Sequence, residues 1–280
     1  MCGLICNFAV RKALNGYFFD MKEEVAVVVP IYRDHLDACE EISLRSIVKV
    51  LGGYPLVFVK PQSLRLTEVG ERFPQLREEN FADAYFTNIH AYNTLMLLPE
   101  FYERFSSYTY ILIAQLDAFI FRDELHQWCV KGYDYVGAPW IVRSIYSHPF
   151  MRLCSKIKRS YCELVGKPNS QITGNKVGNG GLSLRKVESH IRATRQLKGL
   201  VEEYLSHESH HLFNEDVFFA VEPCRHGLDF KYPDYMEALQ FSFDTHPAYC
   251  FKLTGGNLPF GCHGWNKKRM IKFWKPIIMG

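Results

Sequence analysis

The chain has 280 residues, 48% hydrophobic and 22% charged, which excludes a disordered chain and allows a core that needs no disulfide or metal staple. A net charge of +3 without a concentrated basic face gives no reason to expect a nucleic-acid partner. The nine cysteines are odd in number, scattered and free of any C-x-x-C pair, which points to free thiols in a reducing compartment rather than a secreted disulfide framework.

Met1 to Phe19 begins apolar, but Arg11 and Lys12 come after the apolar start, the reverse of a secretory signal. No apolar run reaches the ~18 residues of a membrane span, so a cytoplasmic protein is expected. The β-branched run Glu24 to Pro30 predicts a buried strand ended by proline. Ile42, Leu44, Ile47, Val48 and Leu51 predict a helix over Cys39 to Leu51, stopped by Gly52 and Gly53. Pro55 to Val59 is a second strand. This strand-helix-strand opening implies a parallel sheet with helices on its faces.

Further along, a helix is predicted over Ala91 to Leu98 and a third buried strand over Tyr108 to Ile113. A short strand follows at Ala118 to Phe121, then a helix from Asp123, near its cap, to Val130. Tyr133 to Trp140 is aromatic and punctuated by glycine and proline. The stretch 143–167 mixes Arg143, Arg152, Lys156, Lys158, Arg159 and Lys167 with apolar residues at near-helical spacing. It is read either as a solvated helix face or as a peripheral contact with an anionic membrane. Asn175 to Leu184 is a glycine-rich turn entering a strand, and Lys186 to Leu205 is the strongest helical pattern. No boundary separates the halves 23–125 and 126–280, so a single domain is expected.

Four places carry candidate chemistry. Asp117, in Gln115-Leu116-Asp117, follows a buried parallel strand, where such sheets bind ligands. A carboxylate there suits Mg²⁺ or Mn²⁺ on a diphosphate, or serves as a turn acid. The Gly178 to Arg185 segment is a close-approach loop or a plain tight turn. Glu215-Asp216 before Val217-Phe218-Phe219 is a base with a raised pKa or a helix-capping pair. His263, between Gly261 and Gly264 with aromatics beyond, is reachable by a metal or a phosphate, or is a structural histidine. A fifth pattern, His207-Glu208-Ser209-His210-His211, matches the helical zinc-protease motif, with Glu237 as a third ligand.

In this order the pieces resemble the GT-A class of nucleotide-sugar glycosyltransferases. The nearest resemblance is to an uncharacterised glycosyltransferase-like family associated with bacterial polysaccharide synthesis. Val27 to Arg33 with Ser43 to Ile47 is similar to the first strand and helix of that class. Gln115-Leu116-Asp117 stands where D-x-D is found, with glutamine replacing the first acid. Gly180 to Arg185 is similar to its acceptor-side segment, and Glu215-Asp216 to its acidic pair. His263-Gly264-Trp265, with Trp274-Lys275-Pro276 beyond, is similar to the segment of its C-terminal metal-binding histidine.

The resemblance implies an α/β fold: a GT-A-like, Rossmann-like, mixed but mostly parallel sheet flanked by helices. It implies a nucleotide half (23–125) and an acceptor half (126–280). A UDP-type sugar donor would lie on Pro30, Tyr32, Arg33, Gln115 and Asp117, with Asp117 and His263 holding Mn²⁺ or Mg²⁺. Asp216, with Glu215, would be the base of an inverting transfer to a glycan or lipid-linked acceptor. Gly180, Gly181, Arg185, Trp140 and Trp265 would bind that acceptor, and Tyr135 would join the two tryptophans in stacking on sugars. The aromatic excess is accordingly divided between core and cleft, with Tyr133, Tyr135, Trp140, Phe218, Phe219, Phe260 and Trp265 placed around the cleft. The alternatives are a non-catalytic binding protein of the same fold and a zinc hydrolase built on His207 and His211.

Overall fold

A computed structural model describes residues 23–142, 149–164, 169–207 and 210–280. The segment carrying Cys2, Cys6 and the residues bearing on a signal peptide lies outside the described residues, as do Arg143, Ile145, Tyr146 and Lys167 of the basic stretch and Glu208 and Ser209 of the zinc-like motif. The chain runs β1 (Glu23–Pro30), α1 (Ala38–Leu51), β2 (Leu56–Pro61), α2 (Glu68–Arg72), β3 (Arg77–Phe81), α3 (Ile89–Leu97), α4 (Pro99–Glu103) and β4 (Tyr108–Ala114). It continues through β5 (Ala118–Ile120), α5 (Leu125–Val130), β6 (Tyr135–Gly137), α6 (Pro149–Leu164), β7 (Leu182–Lys186), α7 (Val187–Gln196) and α8 (Lys198–Ser206). The last elements are α9 (Glu215–Arg225), α10 (Tyr235–Phe241), β8 (Ser242–Phe243), α11 (Pro247–Leu253), β9 (Gly261–His263) and α12 (Ile271–Ile278).

The main sheet has the order β3-β2-β1-β4-β7-β6. Its first four strands are parallel, while β7 runs antiparallel to both β4 and β6. A buried parallel strand has apolar residues on both faces, and β1 shows why. Val25, Val27 and Val29 pack with Leu44, Ile47 and Leu51 of α1 on one face. Ala26 and Val28 pack with Leu95, Phe101 and Phe219 on the other. A capping box starts α1, with the Asp37 carboxylate accepting from Cys39 N and Glu40 N and the Glu40 side chain accepting from Asp37 N.

A second small sheet, β5-β9-β8, ties the chain's C-terminal part to the end of β4. Strands from both 23–125 and 126–280 share each sheet: β6 and β7 extend the first, and β5 pairs with β9. The pattern over 186–205 is two helices rather than one. At Leu197 the backbone leaves helical geometry, so α7 ends and α8 starts anew. The edge strand β3, Arg-Glu-Glu-Asn-Phe, has no apolar run, because a sheet edge can carry charge. All seven described cysteines are free thiols. Among the described residues no helix is long and apolar enough to cross a membrane.

Candidate functional site

In a mostly parallel sheet the carboxyl ends of the strands open on one edge, where the loops form a crevice. Here that edge is the end of β1 at Pro30 and of β4 at Ala114. Gln115 N donates to Gly181 O at 2.8 Å, and Ala118 N donates back to Gln115 O at 2.8 Å. This turn sets Asp117 at the crevice, with its side chain 24% exposed. A cleft of about 570 Å³ lies before it, lined among others by Pro30, Tyr32, Glu40, Tyr92, Gln115 and Asp117. That volume is of the size that holds a cofactor-sized molecule. Tyr32 is exposed at the rim, and Arg33 beside it donates to Glu40 at 2.7 Å.

The pairing of β5 with β9 sets His263 opposite Ala118 and so beside Asp117. His263 Nε2 is 3.1 Å from Asp117 Oδ1, and Lys267 Nζ is 3.4 Å from Asp117 Oδ2. His263 Nδ1 is 3.1 Å from Asp244 Oδ1, which holds the ring from behind. Burial opposes a charged imidazole here, but the Asp117 and Asp244 carboxylates outweigh it, and the pKa of His263 is raised to about 9. Burial likewise opposes charge on Asp117, yet His263 and Lys267 hold its carboxyl down at about 2.

The glycine loop makes this packing possible. A methyl group at Gly181 would collide with the His263 ring, and one at Gly180 with the Glu215 carboxylate. Asn179, at φ 69°, accepts from Gly181 N at 3.0 Å and holds the loop against the histidine. On the other side of the loop α9 begins with the two acids, and they separate. Glu215 points into the core and meets Arg185 through Nη1 at 3.0 Å and Nη2 at 3.1 Å. Asp216 stays partly exposed and accepts from Val217 N at 2.8 Å. Burial, and then the charge of Glu215, raise its pKa to about 7. The Gly180 and Val217 N–H groups pull against that rise. A carboxyl poised near neutrality can accept a proton and release it.

Several sequence expectations are corrected here. Arg185 is 0% exposed and bound to Glu215, to Ser183 Oγ and to the Tyr102 hydroxyl, so it braces the loop from below and reaches no acceptor. Trp265 is also 0% exposed, its indole N–H donating to Ser43 Oγ at 2.8 Å, so it stacks on no sugar. Tyr135, Phe218, Phe219 and Phe260 are buried core residues rather than cleft walls. Tyr133 is turned away from the cleft, its hydroxyl donating to Glu237. Of that group only Trp140 lines an open groove. Glu215 is consumed by its ion pair, which leaves Asp216 as the available carboxylate.

The zinc pattern does not form a helical site. Helix α8 ends at Ser206, His207 stacks on Phe213 at 3.9 Å, and His211 opens a separate turn. Glu237 is tied to Lys131 and Tyr133. Sequence reasoning passed over Lys267 and Asp244, and took Asn179 only as part of the glycine segment. The four-residue spacing from His263 was a usable signal for Lys267, whereas Asp244 and Asn179 become neighbours only through the small sheet and the loop.

Among the described residues no group of three or more His, Cys, Asp or Glu is arranged to hold a metal. The pair Asp117 and His263 fits a hard cation shared with a ligand once the His263 ring gives up its Nε2 proton, since a charged imidazole has no lone pair to offer. Nε2 of His263 is buried and makes no aligned hydrogen bond. Its 3.1 Å separation from Asp117 Oδ1 matches neighbouring ligands on an octahedral ion, about 3 Å apart. Asp244 supplies an outer carboxylate to Nδ1, the partner that a metal-binding histidine commonly has there, and the Asn179 amide nitrogen approaches the same atom at 3.0 Å.

A family model described as "Protein of unknown function (DUF5672)" matches residues 75–263, a span that includes Asp117, the glycine loop, Asp216 and His263. No curated protein matches the chain. Solved structures do. An active-site mutant of LgtC matches with a TM-score of 0.53 at 12% identity, over 91% of this chain and 94% of that one. Mouse xyloside xylosyltransferase 1, in its apo form, matches with a TM-score of 0.51 at 12% identity, over 86% of this chain and 97% of that one. The chain therefore has the fold of the GT-A glycosyltransferases: a mostly parallel central sheet flanked by helices.

Proposed function

This chain belongs to the DUF5672 family, and we propose that it is a glycosyltransferase which moves a sugar from a UDP-type nucleotide donor to a glycan or lipid-linked acceptor, with inversion. The observation that carries the reading is the juxtaposition across one glycine loop. Asp117 and His263 lie on one side and Asp216, raised to about 7, on the other. The GT-A fold and the xylosyltransferase among its neighbours support sugar transfer in general.

In this reading the donor lies in the cleft bounded by Pro30, Tyr32 and Gln115, with Arg33 next to Tyr32 and bonded to the cleft residue Glu40. Gln115 is neutral and offers a hydrogen bond to a ribose hydroxyl where an acid would add charge. Asp117 and His263 would hold Mn²⁺ or Mg²⁺, which when bound offsets the negative charge gathering on the departing diphosphate. Lys267 brings a second positive charge to the same place. Asp216 takes the proton of the acceptor hydroxyl as that oxygen bonds to the anomeric carbon. The bond from that carbon to the diphosphate breaks on the opposite face, so the configuration inverts. Gly180 and Gly181 are buried and make room for Glu215 and His263 rather than for the acceptor, and Trp140 offers a face for a sugar ring. The two halves 23–125 and 126–280 work as one domain in this scheme, since the cation ligands come from both.

The test is a panel of nucleotide sugars assayed for donor hydrolysis and transfer with and without Mn²⁺. Thermal shift by UDP and GDP is measured alongside, since a ligand of the folded state raises apparent stability. Turnover of one donor supports the reading. Nucleotide binding with no turnover of any donor favours the second reading, a binding protein of the same fold, to which the neutral Gln115 lends weight.

A further inference from the structure

Helix α6 has an apolar stripe that the proposed site does not use. Leu153, Ile157, Tyr161 and Leu164 recur at helical steps and are 55%, 61%, 55% and 86% exposed. The helix meets the rest of the protein along a different side, where Cys162 is buried and Met151 and Ser155 are half-buried. A contiguous apolar stripe left in water marks an interaction surface.

The charge of the helix narrows what covers it. Its sequence carries Arg152, Lys156, Lys158 and Arg159 against the single acid Glu163. Lys156 and Lys158 are exposed. They lie roughly 90–110° to either side of the apolar stripe, by the pitch of an α-helix. An apolar stripe between two cationic rims matches the boundary of anionic headgroups and acyl chains. A second copy of the helix, laid face to face, would set lysine against lysine, whereas anionic lipid accepts both rims.

We infer that α6 lies in the headgroup layer of an anionic lipid membrane, with Leu153, Ile157, Tyr161 and Leu164 reaching the acyl boundary and Lys156 and Lys158 on the phosphates. The inner side of the helix forms one wall of a groove of about 740 Å³, whose other wall includes Trp140, Val142, Thr245 and His246. Docking holds this groove one helix diameter, ~10 Å, from the membrane surface, within reach of a lipid-linked acceptor. That consequence for the acceptor rests on the proposed transfer; the docking itself does not.

The experiment is co-sedimentation of the full chain with vesicles of phosphatidylcholine alone, and of phosphatidylcholine with phosphatidylglycerol, in the absence of any donor. Binding is expected to the anionic vesicles only, and to weaken as salt rises. Lys156→Glu/Lys158→Glu is expected to lower the partition constant at least ~20-fold, since each basic residue near such a surface contributes about fivefold. Ile157→Gln/Leu164→Gln is expected to abolish binding while the melting temperature is unchanged, because exposed side chains carry little stability. Three results would overturn the inference: no binding to anionic vesicles, wild-type binding by either double variant, or a solution dimer that Ile157→Gln/Leu164→Gln converts to monomer. Because no donor is present, the docking and the transfer fail separately.

Discussion

Asp216→Asn separates chemistry from folding. Asparagine has nearly the same shape, and its side-chain oxygen still accepts from Val217 N, so α9 keeps its first turn. What is lost is a group that takes a proton near pH 7. Removing a positioned general base costs typically 10²–10⁴-fold in rate, so kcat is expected to fall by that factor while donor binding is unchanged. In the wild-type enzyme the rate is expected to rise about tenfold per pH unit below 7 and to level off above it, as the carboxylate form fills. Glu215→Gln removes the second cause of the raised pKa, after burial, and should move the acid limb of that profile to lower pH.

The same group gives a stability signature of known sign. Its pKa is about 7 in the fold against 3.8 in a free chain. The folded state therefore holds the proton more tightly, and stability from this group is fully present below about 4 and is lost as pH rises through 7. The rise corresponds to at most ~4 kcal/mol, at ~1.4 kcal/mol per pH unit. The carboxyl is partly exposed, so hydration reduces this to roughly 2 kcal/mol. Asp216→Asn has no such loss. It should match the wild type near pH 4 and exceed it above pH 7, by a melting temperature several degrees higher at about 2–4 °C per kcal/mol. Calorimetry and steady-state kinetics across pH 4–9 read both effects. A variant with full activity, or one whose stability falls with pH as the wild type's does, would refute the assignment.

Three further substitutions probe the surroundings. Arg185→Met strands the buried Glu215 carboxylate and should destabilise the fold by ~3–5 kcal/mol in denaturant unfolding, with partial recovery in Arg185→Met/Glu215→Leu; a neutral Arg185→Met would show that the pair bears no load. Gly181→Ala pushes a methyl group into the His263 ring. It should abolish any Mn²⁺-dependent thermal shift by UDP while a cooperative melt persists. His263→Ala should lose the same shift, and an intact Mn²⁺ dependence in both would remove His263 as a ligand.

The first half of the fold was legible because its signals are local. The β-branched run before Pro30 and the helix stopped by Gly52-Gly53 mark β1 and α1, and both form where expected. Buried parallel strands need apolar residues on both faces, and that requirement is written in consecutive residues. The elements that were missed obey other rules. Strand β3 is an edge and carries charge, and α9, legible only as a helix start behind its acidic pair, holds Pro223 in its interior while being buried along most of its length. The break at Leu197 leaves the apolar periodicity of 186–205 nearly intact, so periodicity alone reads it as one helix.

The site was legible in its reactive residues and not in its supports. Asp117 and His263 stand beside strand ends or glycines and Asp216 beside an aromatic run, and such neighbours show in the sequence. Whether an aromatic or an arginine near a motif faces the cleft or the core is set by the parity of a strand and the packing of a second layer. Arg185 shows the difference. Five positions after Gly180 on the chain, it looks like a ligand-binding cation, yet β7 turns it inward onto Glu215. Arg185 fixes Glu215 in the core, and the charge of Glu215, after burial, raises the Asp216 carboxyl toward neutrality, while the Arg185 charge itself partly opposes that rise. The acidic pair therefore acts as two different groups, one spent on the other's pKa, and only the second is left to meet a hydroxyl.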